Sequence, residues 1–149
     1  MKGQLSIIAL AAVVTLGVGA SGITAQPRRA PPPGGPLYNL NARDLAASGE
    51  SGCECSFSAG RSTLMQVIGN SLTVRTRAGR QICRISDSQF SALSGDRADV
   101  SCAGLRLSTR RTGRVNAHPE SDSAEWAASL TIGQGRARRV IAGRYGCAC

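Results

Sequence analysis

The chain is poor in the residues that most often do chemistry or fill large cores. It has one histidine (His118), one lysine (Lys2) and one tryptophan (Trp126). Aromatic residues make up only 3% of it, so its core is expected to be thin. A single imidazole excludes a histidine-rich metal site. The near absence of lysine leaves arginine to carry the positive charge: 18 cations stand against nine acids, a formal charge of +9. That balance excludes an acidic, solvating disordered chain. A length of 149 residues excludes a large multidomain enzyme. Neither a Gly-x-Ser-x-Gly elbow nor a phosphate-cradling glycine motif occurs. Cys-x-x-Cys is absent as well, which argues against a dithiol redox enzyme. His118 sits in His118-Pro119-Glu120 within a polar stretch, where an exposed loop histidine is the simpler expectation. Glu120 and Glu125 read as solvated or arginine-paired acids rather than as an acid/base pair. The expectation is a non-enzymatic protein with no catalytic residue, no metal and no cofactor.

What is present begins with an export signal. Lys2 supplies a positive start, residues 7–18 form an uncharged apolar run, and small residues follow. Residues 1–25 therefore read as a signal peptide, with cleavage after Ala25 or after Ala20. The run falls short of the roughly 20 residues that a spanning helix needs. The first cysteine, Cys53, follows Glu50-Ser51-Gly52, which is not a lipoprotein processing site. A periplasmic or secreted protein with no integral membrane segment after cleavage is expected. Cleavage removes Lys2 and leaves 17 arginines and nine acids, a charge of +8. Residues 26–48 read as a Pro-rich linker, in which Pro27, Pro31, Pro32, Pro33 and Pro36 favour an extended tether. Its later part, with Leu40, Asp44, Leu45 and Ala46, has moderate helix propensity, suited to a short helix or to none. The β domain is placed at residues 49–149.

From Cys53 onward the apolar period is two, the period of strands. Leu72, Val74 and Thr76 alternate with Thr73, Arg75 and Arg77; Leu105 and Leu107 alternate with Arg106 and Ser108. Trp126, Ala128, Leu130 and Ile132 alternate with Ala127, Ser129 and Thr131. Turn signals recur at short intervals, among them Gly69-Asn70, Ala78-Gly79 and Thr112-Gly113. The fold class is all-β: a small antiparallel barrel or sandwich of about seven or eight strands, disulfide-stabilised. Residues 87–93 are the exception, a short helical turn with Asp87 as its cap. Residues 116–125, with Pro119, read as a loop.

Export and an even cysteine count point to disulfides. The six are Cys53, Cys55, Cys83, Cys102, Cys147 and Cys149. Residues two apart on a strand share a face, so Cys53 and Cys55 point one way, as do Cys147 and Cys149. If the first and last strands pair antiparallel, Cys53 faces Cys149 and Cys55 faces Cys147 in a single register. The spacing also permits the crossed pairing, Cys53 with Cys147 and Cys55 with Cys149. Cys83 and Cys102 would then staple the middle of the sheet. A zinc site of four thiolates fits less well, because paired cysteine ligands usually have two to four residues between them.

Arg75, Arg77, Arg106 and Arg110 fall on the polar sides of their strands, and Arg136, Arg138, Arg139 and Arg144 crowd the C-terminal strands. Guanidinium groups match phosphate and carboxylate in bidentate geometry. These eight are the candidate anion-binding residues, for an anionic envelope polymer or an acidic protein. Nucleic acid is not expected, since the aromatic platforms that stack bases are missing.

Gly52-Cys53-Glu54-Cys55-Ser56-Phe57, with Glu120, Trp126, Leu130-Thr131-Ile132, Gly135 and a closing Gly146-Cys147, resembles a family of small exported β-proteins of Gram-negative bacteria. Its members have a Cys-Ser-Phe opening, a Trp-x-x-x-Leu-Thr-Ile strand and a terminal cysteine. The resemblance covers residues 52–149 and implies a basal bridge between Cys55 and Cys147. It carries no activity and no functional residue with it. At the level of fold alone the expected architecture is also similar to barrel-type periplasmic lysozyme inhibitors. Positive charge disfavours a basic lysozyme as target. The alternative function is therefore inhibition of a secreted acidic hydrolase through a rigid loop at residues 114–120.

Overall fold

The computed structural model describes residues 36–46 and 51–149. The signal peptide at 1–25, its cleavage sites, the Pro-rich stretch up to residue 35, and Gly49 lie outside the described residues. Eight strands form one antiparallel sheet: β1 (Glu54–Ala59), β2 (Ser62–Ile68), β3 (Ser71–Thr76), β4 (Gly79–Arg84), β5 (Arg97–Cys102), β6 (Leu105–His118), β7 (Ser123–Gln134) and β8 (Ala137–Ala148). Their spatial order is β4-β3-β2-β1-β8-β7-β6-β5, a nearly closed, barrel-like sheet. The all-β, disulfide-stabilised class read from the sequence is what the chain adopts. Two short helices, α1 (Ala42–Ala46) and α2 (Asp87–Leu93), flank it.

Alternation decides which way each strand faces. In β5, Ala98, Val100 and Cys102 are buried while Arg97, Asp99 and Ser101 are exposed. Leu105 and Leu107 of β6, then Trp126, Ala128, Leu130 and Ile132 of β7, continue the same inner layer. Phe57, Met65, Val67, Leu72, Val74 and Tyr145 complete it from the other strands, each buried to 1% exposure or less. Fully burying such a side chain contributes roughly 1.5–3 kcal/mol. The ring of Phe57 dictates a glycine across the β1/β8 ladder. A Cβ at Gly143 would overlap the Ser58 carbonyl and stand 2.7 Å from that ring.

Three disulfides join the six cysteines. Cys53–Cys149 and Cys55–Cys147 lie side by side across β1 and β8, with Cα separations of 4.1 and 4.0 Å. This is the uncrossed pairing, and Cys55 opposes Cys147 in the β1/β8 register. Cys83–Cys102 does not staple the middle of the sheet. It joins β4 to β5, the two edges that no hydrogen-bonded ladder connects, at a Cα separation of 5.6 Å. The cause is topological. Once the first and last strands pair, they occupy the centre of the sheet, and the middle of the chain supplies its edges.

The packed body takes in residues upstream of Gly49, where the sequence reading begins the domain. Leu37 and Leu40 are buried. The Tyr38 N–H donates to the Arg75 carbonyl at 2.8 Å, and the Leu40 N–H to the Thr63 carbonyl at 2.8 Å. Asn41 caps α1: its Oδ1 accepts from the Arg43 and Asp44 N–H groups, and Asp44 Oδ2 accepts from the Asn41 N–H. Asp44 also receives Arg75 Nη1 on both oxygens, at 2.9 and 2.7 Å.

The cap of α2 is Ser86 rather than Asp87. Its hydroxyl accepts from the Gln89 N–H, and the Gln89 side chain returns to the Ser86 N–H. Asp87 is the first helical residue, where a negative charge suits the N-terminus. The expected loop at 116–125 is largely strand. β6 runs to His118, a 3-10 turn covers Pro119–Ser121, and β7 resumes at Ser123. The ladder to β8, down to the Ser123–Ala148 pair, extends β7 through residues whose own polarity does not announce a strand.

Candidate functional site

The registers of β5 to β8 arrange their outward side chains in rows. Ser101, Arg106, Gly133 and Arg138 form one row, and Asp99, Ser108, Thr131 and Val140 the next. Adjacent strands lie about 4.8 Å apart, so the Arg106 and Arg138 backbones stand about 10 Å apart across Gly133. Gly133 contributes no side chain, and the gap is a basin of about 640 Å³. Arg97, Arg106, Arg136 and Arg138 line it, with Asp99 as the one acid and with hydroxyls from Ser101, Ser108 and Thr131.

Four guanidiniums and one carboxylate thus line the same basin. Asp99 accepts from the Ser108 hydroxyl and lies 3.4 Å from Arg97 Nε. The Ser108 hydrogen bond outweighs partial burial and, with Arg97 and Arg106, holds the Asp99 carboxyl below its ordinary value. It therefore stays ionised near neutrality. The Arg97–Asp99 pair is largely exposed, so it contributes little to stability.

The sequence-derived arginines divide by location. Arg106, Arg136 and Arg138 meet at the basin. Arg110 lies opposite Arg97 but borders a neighbouring hollow, with Asp96 and Arg111. Arg139 is exposed but shares the strand face of buried Ile141, pointing away from Arg138. Arg144 is paired with Glu125 near the far end of β8. Arg75 is tied to Asp44, and Arg77 stands in the turn between β3 and β4, in the other half of the sheet. Arg97 is the residue that sequence reasoning missed. The alternation Arg97, Asp99, Ser101 against Ala98, Val100, Cys102 is the signal that puts it outside.

A second hollow lies over Gly146, between β1, β8 and β7, and contains Glu54, Glu125 and His118. Each of these side chains has a polar neighbour. Glu54 accepts from Gln66 Nε2 at 2.7 Å, Glu125 pairs with Arg144, and His118 Nδ1 lies 3.7 Å from Glu120. Among the described residues no group of three His, Cys, Asp or Glu side chains is placed to hold a metal. Tyr145 is a core residue beside Trp126, with ring centroids 5.4 Å apart, and burial pushes its hydroxyl pKa up.

Comparison with protein-family models, with curated proteins and with solved structures finds no match for this chain.

Proposed function

We propose that this is an exported, non-enzymatic cell-envelope protein that binds an anionic polymer or ligand through the basin on β5 to β8. The observation that carries the reading is the convergence of Arg97, Arg106, Arg136 and Arg138 on one concavity with a single opposing carboxylate. Several other arginines already have acidic partners: Arg75 with Asp44, Arg111 with Asp96, Arg144 with Glu125. Guanidinium forks placed around a concavity suit phosphate, sulfate or carboxylate groups. No aromatic ring lines the basin, so nothing there would stack a nucleobase. The three disulfides support export, since such bonds persist in oxidising compartments.

The test is a salt titration of heparin binding by the oxidised protein. Its association constant should fall steeply with salt, with a log–log slope of about −2 to −4, and Arg106→Gln with Arg138→Gln should flatten that slope by about 1–2. Binding indifferent to salt, or weakened as much by Arg77→Gln as by the basin pair, would overturn the reading.

A further inference from the structure

We propose that the basin recognises a phosphate monoester carried on a sugar, in preference to a sulfate ester or a carboxylate. This rests on the anion-binding reading above and names its ligand class. The first ground is charge. A carboxylate or sulfate ester brings one negative charge, whereas a phosphate monoester brings about 1.5 to 2 and three strong acceptor oxygens. One guanidinium fork engages both oxygens of a planar carboxylate from a single edge. Here Arg106 and Arg138 stand on opposite sides of a floor without a side chain, and Arg136 joins them from the β7/β8 turn. That arrangement suits a tetrahedral dianion, which accepts forks from two sides at once.

The second ground is Asp99. A carboxylate in an anion site repels the anion itself, so its place there calls for a ligand that also donates hydrogen bonds. Sugar hydroxyls donate. Asp99 is held ionised and fixed by Ser108 and Arg97, and Ser101 and Thr131 add hydroxyls that pair with a sugar in either sense. The absence of aromatic rings from the lining removes the alternative of a stacked base or a stacked sugar face.

The class of ligand has a distinctive pH signature. The charged groups facing the basin are Arg97 and Asp99 from β5, Arg106 from β6, Arg138 from β8 and Arg136 from the turn. Guanidinium stays protonated throughout the neutral range, and Asp99 is held below its ordinary value. The one histidine lies in the other hollow. Any change in affinity between pH 5 and 7.5 therefore belongs to the ligand. A phosphate monoester gains its second charge near pH 6, so its binding should tighten about five- to tenfold across that interval. Sulfate esters and uronates should bind with constant affinity.

Calorimetric titration of the full oxidised chain with glucose 1-phosphate, glucose 6-sulfate and glucuronate, at pH about 5 and about 7.5, makes the test. A parallel arm uses phosphatidylcholine vesicles carrying a diphosphorylated glucosamine lipid. Phosphate binding that tightens with pH, exceeds the other two and drops at least tenfold in Arg106→Gln/Arg138→Gln supports the proposal. If it appears with the soluble sugar, the source is a free phosphosugar. If it appears only with vesicles, the source is a lipid headgroup. Gly133→Glu is a second variant, since it sets a carboxylate between the two arginines. Its Cβ would lie an ordinary 3.6 Å from Arg106 Cβ, so the fold accommodates it, and it should abolish binding while retaining native circular dichroism. Equal, pH-independent binding of sulfate and phosphate would overturn the phosphate assignment and leave salt-dependent heparin binding intact. Loss of heparin binding as well would overturn both.

Discussion

Both halves of the sheet place arginines on their outward face, but in different surroundings. On β1 to β4, residues 37–46 lie against the sheet, and Arg75 is drawn into a two-pronged contact with Asp44. On β5 to β8, Arg97, Arg106, Arg136 and Arg138 border an open basin. Alternation places an arginine outside, and what covers that outside decides whether it is tied into the fold or left bordering open space. The two lines along which the halves meet differ as well. At β1/β8 there is a full ladder and two adjacent disulfides. Between β4 and β5 there is no ladder, and Cys83–Cys102 spans the gap. Sulfur duplicates hydrogen bonding at one line and replaces it at the other. The linker between β4 and β5 also reaches back to the first line: Ser94 Oγ lies 4.0 Å from the Cys55 sulfur and 3.9 Å from that of Cys147.

Removing both β1/β8 bridges is the most damaging way to part the halves. Replacing Cys53, Cys55, Cys147 and Cys149 by serine should cost about 4–5 kcal/mol in denaturant unfolding, because the bridged loops span over 90 residues. Opening the other line is next. Cys83→Ser with Cys102→Ser removes a bridge across a separation of 19 and should cost about 3 kcal/mol. Hydrogen exchange should then show β4 and β5 losing protection before β1, β7 and β8. Equal loss across all strands would show that the two lines do not differ.

Asp44→Asn should cost about 1–2 kcal/mol, since it removes a charge-assisted contact from a carboxylate 5% exposed, and should leave heparin binding unchanged. Burial works to raise the Asp44 carboxyl, but the Asn41 N–H, Arg75 and Arg80 outweigh it and leave it lowered. Its folded-state value lies below its unfolded one, so this contribution is complete above pH about 4 and is lost as pH falls through the folded value. Acid should therefore release residues 36–46 before the barrel opens, visible as exchange at the Tyr38 and Leu40 amides. The smallest effect on stability is expected in the other half. Arg106→Gln should change unfolding by less than about 0.5 kcal/mol while weakening heparin binding. If Arg106 proves as stabilising as Asp44, the contrast between the halves is lost.

Strand alternation, the helix at 87–93 and, as one of two permitted pairings, the register of Cys53 and Cys55 with Cys149 and Cys147 were legible in the sequence, because each depends on spacing along the chain. The docking of Leu37 and Leu40 was not, since both follow a proline-rich stretch and gain their meaning only from the sheet they cover. Nor was the strand character of residues 116–118 and 123–125, where pairing with neighbours overrides polar composition. The basin was half legible. Arg106, Arg136 and Arg138 stood out, but only the β5/β6 register brings Arg97 to them.

The most direct test of the account maps binding residue by residue. Amide chemical shifts of the oxidised protein should be followed as a short heparin oligosaccharide is added. The account predicts that the shifts concentrate at Arg97, Asp99, Arg106, Gly133, Arg136 and Arg138. Shifts spread evenly over Arg75, Arg80, Arg139 and Arg144 as well, with no focus at Gly133, would contradict it.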